Sequence, residues 1–294
     1  MIRYRSMLFM PGNNPGMLTS AQSLGADCVI FDMEDAVPRT EKDAARILIR
    51  HALTSMRPQG VGVAVRINAL DTPFWKEDLA AVARGGADIL LAPKTDSPDS
   101  VREVAAALEA AEREQGACGR RIVIFALIES ALGIEHAFAV ASAHERIGGI
   151  MLGAEDLTAE LGAKRTPKGD EILYARSRIL MACRAAGIRA IDTPFPFTAD
   201  LEGLAADAAF AAQLGFDGKA AISPHHVMTI QAAFSPDPEQ INQACRVVEA
   251  ARRAAEEGKG VASLDGMMID LPVIKRAERI LSLIDGPLED VHAN

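Results

Sequence analysis

Eight short apolar or β-branched runs occur along the chain, each ending near a polar, glycine or proline residue, and the first seven give way to a stretch with helical periodicity, often alanine-rich. The runs are 5–10 (RSMLFM), 27–32 (DCVIFD), 61–67 (VGVAVRI), 88–92 (DILLA), 121–128 (RIVIFALI), 149–153 (GIMLG), 188–192 (IRAID) and 218–222 (GKAAI). Helical patterns fall between them at 14–24, 41–56, 76–84, 98–115, 131–142, 168–186 and 200–214. Several open on acid-rich first turns such as SPDSVREV and close near glycine, at Gly116 and Gly187. Parallel strands need a crossover helix between them, and strands covered on both faces read as continuous apolar runs. Eight such units predict an α/β chain of the TIM (β/α)8 barrel type rather than an open doubly wound sheet. No GxGxxG follows the first run, and GNNPG at 12–16 reads as a tight turn, which argues further against a dinucleotide-binding sheet.

After residue 223 the rhythm changes. A long amphipathic helix is expected at 237–256, then the polar, glycine-containing stretch EEGKGVASLDGMMIDLP, then a last helix near 273–284, with no strand. Such a tail is too small for a good core of its own. The expected organisation is a barrel domain over 1–232 and a C-terminal helical lid extension over 233–294 that also serves as an oligomer contact.

Charge and cysteine usage narrow the function. The chain carries 40 acidic against 31 basic side chains, a formal net charge of -9, which argues against nucleic acid or an anionic membrane as partner, since both need clustered positive charge. Cys28, Cys118, Cys183 and Cys245 are widely spaced, with no CxxC pair, so they read as buried thiols in a reducing cytosol. The five-residue apolar stretch before Pro11 is too short for a signal peptide and no long apolar run follows, so a cytoplasmic location is expected.

In a barrel of this kind the chemistry lies at the C-terminal ends of the strands. Those positions hold Asp32, Glu34, Asp35, Arg66, Asn68, Lys94, Glu129, Glu155, Asp156 and Asp192, all expected at one mouth. So many carboxylates around one Arg and one Lys call for a hard divalent cation with oxygen ligands, and Glu129 and Asp156, on adjacent strands, are placed to share it. The competing reading is that each acid caps the helix beside it. Arg66 suits a carboxylate held by two parallel hydrogen bonds, or a structural pair with Glu34 or Asp35. Lys94 is a counter-charge, a second substrate contact or a Schiff-base nucleophile. His51, His136 and His144 read as surface or packing residues and His292 as part of the tail; His225 and His226 fall nearer the mouth.

These same residues lie in segments that resemble the citrate lyase beta subunit group of the HpcH/HpaI aldolase and citrate lyase family. The matching pieces are MLFMPGNNPGML at 7–18, FDMEDAV at 31–37, VRIN at 65–68, ALIES at 126–130, GAEDL at 153–157, LGFDGKAAISP at 214–224 and MIDLP at 268–272. The resemblance implies a TIM barrel that uses Mg²⁺ to cleave or form a carbon–carbon bond in a 3-hydroxy acyl thioester such as citryl- or malyl-CoA. It implies Glu129 and Asp156 as metal ligands, Glu129 also contacting substrate, and Arg66 as the clamp on the oxoacid carboxylate. Glu34 and Asp35 would hold metal waters and Arg66 in place. Asp270 would be a lid acid reaching a neighbouring subunit's site in a homotrimer or trimer-based assembly. One segment departs from the family: Ile222, Ser223, Pro224, His225 and His226 stand where relatives have Ile-His-Pro or Ile-Asn-Pro followed by Gln. The thioester carrier, CoA or an acyl carrier protein, therefore stays open. So do three other readings: a beta subunit active only within a citrate lyase complex, a Schiff-base aldolase or dehydratase working through Lys94, and an enolpyruvate or phosphate-transfer enzyme on a related barrel, for which GNNPG and GKG are weak phosphate cradles.

Overall fold

Every predicted strand forms, in order, and the sheet closes on itself. The computed structural model describes residues 3–115, 121–256 and 262–284; Gly116, Cys118 and His292 lie outside them. The barrel strands are β1 (Ser6–Pro11), β2 (Cys28–Asp32), β3 (Gly62–Arg66), β4 (Ile89–Ala92), β5 (Val123–Ile128), β6 (Ile147–Leu152), β7 (Arg189–Asp192) and β8 (Gly218–Ala221). Neighbours pair in parallel in chain order, and β1 closes the ring on β8 with Met7 opposite Ala220. Between the strands run α1 (Pro15–Ser20), α2 (Lys42–Ser55), α3 (Trp75–Gly85), α4 (Pro98–Gln115), α5 (Ala131–Glu135), α6 (Ala137–Ala141), α7 (Ala154–Glu160), α8 (Leu173–Ala186) and α9 (Leu201–Leu214); α10 (His226–Ala233) follows β8.

Alternation along each strand builds two cores. Met7, Ile30, Ala64, Leu91, Phe125, Met151, Ile191 and Ala220, one from each strand, pack together inside the barrel. Their neighbours Leu8, Val29, Val65, Leu90, Ala126, Ile150, Ala190 and Ala221 pack outward against the helices. Residues two beyond an inward position at a strand's C-terminal end therefore turn into the mouth, and residues one beyond it turn into the helix layer.

Some helices differ from their predicted spans. The 131–142 pattern is split at His136 into α5 and α6. The 168–186 pattern begins as a loop and a 3₁₀ turn at Asp170–Ile172 before α8 starts. Helix α10 lies outside the predicted helical spans.

Two compact units result, Met1–Phe234 and Ser235–Asn294. The second contains α11 (Pro238–Glu256), β9 (Ala262–Leu264), β10 (Met267–Ile269) and α12 (Leu271–Leu281) around Ala244, Val247, Ile269 and Ala277. The expectation of a tail without strands is corrected here: β9 and β10 form an antiparallel hairpin. Its two-residue turn is Asp265–Gly266, both at positive φ (52° and 79°), the geometry that makes Asp-Gly a preferred hairpin turn. Among the described residues no helix is long and apolar enough to cross a membrane.

Candidate active site at the barrel mouth

Arg66 organises one side of the mouth. Its Nε and Nη2 donate to the two carboxylate oxygens of Asp32 at 2.7 and 2.6 Å, a fork-to-fork pair across the neighbouring ends of β2 and β3. Nη1 faces Glu34 at 2.9 Å and Asp35 at 3.5 Å, and the guanidinium lies over the Phe9 ring, 5.1 Å from its centroid. Asp32 is thus the partner in the fork, the structural pairs with Glu34 and Asp35 that the sequence offered form beside it, and Nη1 is the part of Arg66 turned toward those acids.

Asp32 also shapes the loop after β2, accepting from the Glu34 N–H at 2.8 Å and the Ala36 N–H at 3.2 Å. From the other side, the buried Lys42 donates its Nζ to the carbonyls of Met33 and Glu34, each at 2.7 Å. Lys42 is the first residue of α2, the wrong helix end for a cation, so its place is explained by the two carbonyls it binds rather than by the helix. Neither Glu34 oxygen makes a hydrogen bond, although both are buried. Burial, opposed by Arg66 and reinforced by Asp35, pushes the Glu34 carboxyl up to about 7.

Glu129 follows β5 and is buried. Its Oε1 accepts from the Lys94 N–H at 2.7 Å. Lys94 adopts a left-handed backbone, φ 48°, a costly conformation for a non-glycine residue that marks many working sites. The second oxygen, Oε2, lies against Gly153, where an added Cβ would stand only 2.7 Å away. Burial first, then the Glu34 charge, push the Glu129 carboxyl up to about 8, with Asp156 adding to the rise. Asp156, in the first turn of α7, is exposed. The Lys94 ammonium, 3.6 Å from Glu34 and half exposed, loses charge preference through burial but regains more from Glu34, Asp35, Glu129 and Asp156, so its pKa is raised.

Three predicted mouth residues are elsewhere engaged. Asp192 directly follows the inward-facing Ile191 and so turns into the helix layer, where Arg176 of α8 holds it by two hydrogen bonds of 2.9 Å. Lys219 completes that cluster, 2.6 Å from Asp192 and 2.6 Å from Asp207 of α9. Glu155 is exposed and paired with Arg165 at 2.9 Å, and Asn68 donates to Asp78 at 2.6 Å. Asp270 caps α12, accepting from the Val273 N–H at 3.2 Å. His226 is buried with Nε2 3.3 Å from the Thr198 carbonyl, whereas His225 is exposed.

The donor set fits a hard divalent cation. Glu129 is a buried carboxylate whose ionised form the protein alone disfavours, and Asp156 adds a second nearby charge. No group of three or more metal-ligating side chains occurs among the described residues. Mg²⁺ commonly takes one or two protein carboxylates and leaves its other positions to water and substrate oxygens.

Fold and mouth together define a (β/α)8-barrel enzyme with an acid-rich site at the C-terminal ends of its strands. The family model for HpcH/HpaI aldolase/citrate lyase matches residues 5–224. Citrate lyase subunit beta of Escherichia coli (strain K12) is 44% identical over 282 residues, covering 95% of this chain and 92% of its own length. A (3S)-malyl-CoA thioesterase of Cereibacter sphaeroides (strain ATCC 17029) is 34% identical over 279 residues, covering 95% and 94%. Among solved structures, the CitE protein of Mycobacterium tuberculosis in complex with magnesium, acetoacetate and coenzyme A superposes with a TM-score of 0.77 at 33% identity, covering 95% of this chain and 97% of that one. The chain belongs to the HpcH/HpaI aldolase/citrate lyase family, and it is a carbon–carbon lyase of that family.

Proposed function

We propose that the chain is a Mg²⁺-dependent oxo-acid lyase that splits a 3-hydroxy acyl thioester of the citryl- or malyl-CoA type into an oxoacid and a shorter acyl thioester. The observation that carries this reading is the buried Glu129 carboxylate at the C-terminal end of β5, its Oε1 accepting from the Lys94 N–H at 2.7 Å, with Asp156 in the first turn of the helix that follows the neighbouring strand. The magnesium, oxoacid and coenzyme A bound by the M. tuberculosis relative support it.

Glu129 and Asp156 hold the cation. When bound, that ion supplies Lewis acidity, making the substrate hydroxyl easier to deprotonate and favouring the carbonyl that replaces it. Arg66, its fork fixed by Asp32, orients the oxoacid carboxylate with its Nη1/Nη2 end, while Glu34 and Asp35 set its direction. A general base takes the hydroxyl proton, the O–H electron pair becomes the second bond of the oxoacid carbonyl, the carbon–carbon bond breaks, and its electron pair forms the thioester enolate, which takes a proton on carbon. Asp270 is our choice for the group that moves this proton, acting in a neighbouring subunit's mouth within a trimer-based assembly. An aspartate does this in a closed, desolvated site. Light scattering on the full chain tests the trimer. Because asparagine caps helices as well as aspartate, Asp270→Asn isolates the chemistry: turnover should fall with α12 intact, and unchanged turnover removes Asp270 from the mechanism.

Two observations weigh on the alternatives. A Schiff-base lysine needs a lowered pKa, and the acids around Lys94 raise it. The thioesterase relative favours hydrolysis as a second reading. Purified chain given citryl-CoA or malyl-CoA, with Mg²⁺ or excess EDTA, separates them. A lyase releases oxoacid and no free thiol, only with Mg²⁺; a thioesterase releases free thiol and no oxoacid. Neither product would point to acyl carrier protein as the carrier, or to a requirement for partner subunits. The free thiols at Cys28, Cys183 and Cys245 suit the cytoplasm, where we place the protein.

A further inference from the structure

Helix α7, which carries Asp156, begins without a side-chain cap of its own. Its N-cap residue is Gly153, which makes no side-chain hydrogen bond. The reason is steric: a Cβ built on Gly153 would stand 2.7 Å from both Cβ and Oε2 of Glu129. The residues that usually cap helices, Ser, Thr, Asp and Asn, are excluded by the very carboxylate that shares the site with Asp156.

The helix start is held instead by a group at the end of the next strand, which takes the N–H of the first helical residue rather than those a cap would take. The Ala154 N–H, at the first helical position, donates to Thr193 Oγ1 at 3.1 Å, and both residues are buried. Thr193 lies two residues beyond the inward-facing Ile191, which turns its side chain toward the mouth. Thr193 is itself seated from behind. Its carbonyl accepts from Lys219 Nζ at 2.7 Å, and Lys219 is clamped between Asp192 and Asp207. Consecutive residues of one strand end thus reach two layers: Asp192 the ion cluster under the helices, Thr193 the start of α7.

We propose that Thr193 is a positioning residue for cation binding: its hydroxyl, seated by the Arg176–Asp192–Lys219–Asp207 cluster, fixes the first turn of α7 and thereby the direction of Asp156. This rests on the reading of Glu129 and Asp156 as the cation ligands. The hydroxyl acts as an acceptor, not as volume. Valine has nearly the same shape but leaves the Ala154 N–H buried without a partner, whereas serine keeps the acceptor.

The test is calorimetric titration of Mg²⁺ alone into the full-length protein. Thr193→Val should weaken Mg²⁺ binding by about 10–100-fold, the usual effect of losing a group that orients a metal ligand. Thr193→Ser should bind like the parent. Thr193→Ala is the second acceptor-less variant, used if valine does not fold, and should show the same loss. A lower melting temperature with parental Mg²⁺ affinity in either acceptor-less variant means a structural role only and overturns the inference. Glu129→Gln and Asp156→Asn, titrated alongside, distinguish the two levels. Should they bind Mg²⁺ like the parent, the ligand reading fails and takes this inference with it. If they abolish binding while Thr193→Val does not weaken it, the inference alone fails.

Discussion

The barrel holds two ion clusters of opposite character, one buried under the helices and one only partly buried at the mouth. Under the helices, Arg176, Asp192, Asp207 and Lys219 balance two charges of each sign, and every one of them has an opposite charge within 2.9 Å. At the mouth, Asp32, Glu34, Asp35, Glu129 and Asp156 face only Arg66 and Lys94, with Lys42 behind the loop, which leaves the site short of two positive charges. The pKa directions follow. Asp192 is buried, yet Lys219 and Arg176 outweigh burial and hold it below the ordinary carboxylate value. Glu34 and Glu129 are pushed upward instead. A buried ion cluster that balances itself is architecture, and a partly open one that does not is prepared for a ligand that completes it.

Removing one charge from each cluster should separate them most sharply. Asp192→Asn leaves Lys219 and Arg176 undercompensated in a dry layer, and should destabilise the fold by about 3–5 kcal/mol. Thermal or urea unfolding reads this, and Mg²⁺ affinity should fall far less than it does for a ligand variant. Glu129→Gln should do the reverse. It removes an ionised form the fold disfavours while keeping an acceptor for the Lys94 N–H, so stability in EDTA is kept or raised. Turnover should drop by about 10²–10³-fold, the scale of losing a group that stabilises developing charge. If Glu129→Gln destabilises as Asp192→Asn does, the contrast between the clusters is lost.

Asp32→Asn breaks the fork that aims Arg66. The expected outcome is a rise in KM of about 10–100-fold with a smaller change in kcat. A pure kcat effect would mean that Arg66 acts on the reaction rather than on binding.

The smallest effect is one of slope. A carboxyl whose folded pKa is raised binds its proton more tightly in the folded state, so its contribution to stability is present at low pH. For Glu34 and Glu129 that contribution is lost as pH rises from about 4.5 through about 7 and 8. Asp192, with its folded pKa lowered, contributes above the unfolded value and loses this as pH falls. Melting temperatures in EDTA should therefore decline between pH 5 and 8, and saturating Mg²⁺ should flatten the decline by displacing the proton from Glu129. Equal slopes with and without Mg²⁺ would show that the cation does not meet that carboxylate.

Much of this was legible in the sequence because barrel strands are buried on both faces: all eight appear as apolar runs, and each strand overlaps its predicted span with ends shifted by no more than two residues. The mouth was legible in part for the same reason, since strand ends can be counted. The side to which a strand end turns was harder. Asp192 and Thr193 are adjacent, and only the register that puts Ile191 inside decides that the first leaves the mouth and the second enters it. Lys42, Arg176 and Asp207 sit on helices, and no local pattern shows that their charges are buried. The fork between Arg66 and Asp32 joins residues 34 apart in sequence, a pairing that depends on strand adjacency rather than composition. The tail hairpin did carry a signal, Asp265–Gly266, but strands of three residues are too short for alternation to register.

That hairpin differs from the barrel in one respect with a practical side. Barrel closure pairs every strand of the large unit on both flanks, so none offers a free row of backbone donors and acceptors. Among the described residues, β9 and β10 alone keep an open edge each, and Met267 and Met268 stand exposed on β10. Strand-to-strand recruitment between molecules, whether ordered assembly or aggregation on heating, therefore has its template in the small unit. A charged residue placed on that edge is the substitution that would improve the protein's behaviour at high concentration without touching the barrel.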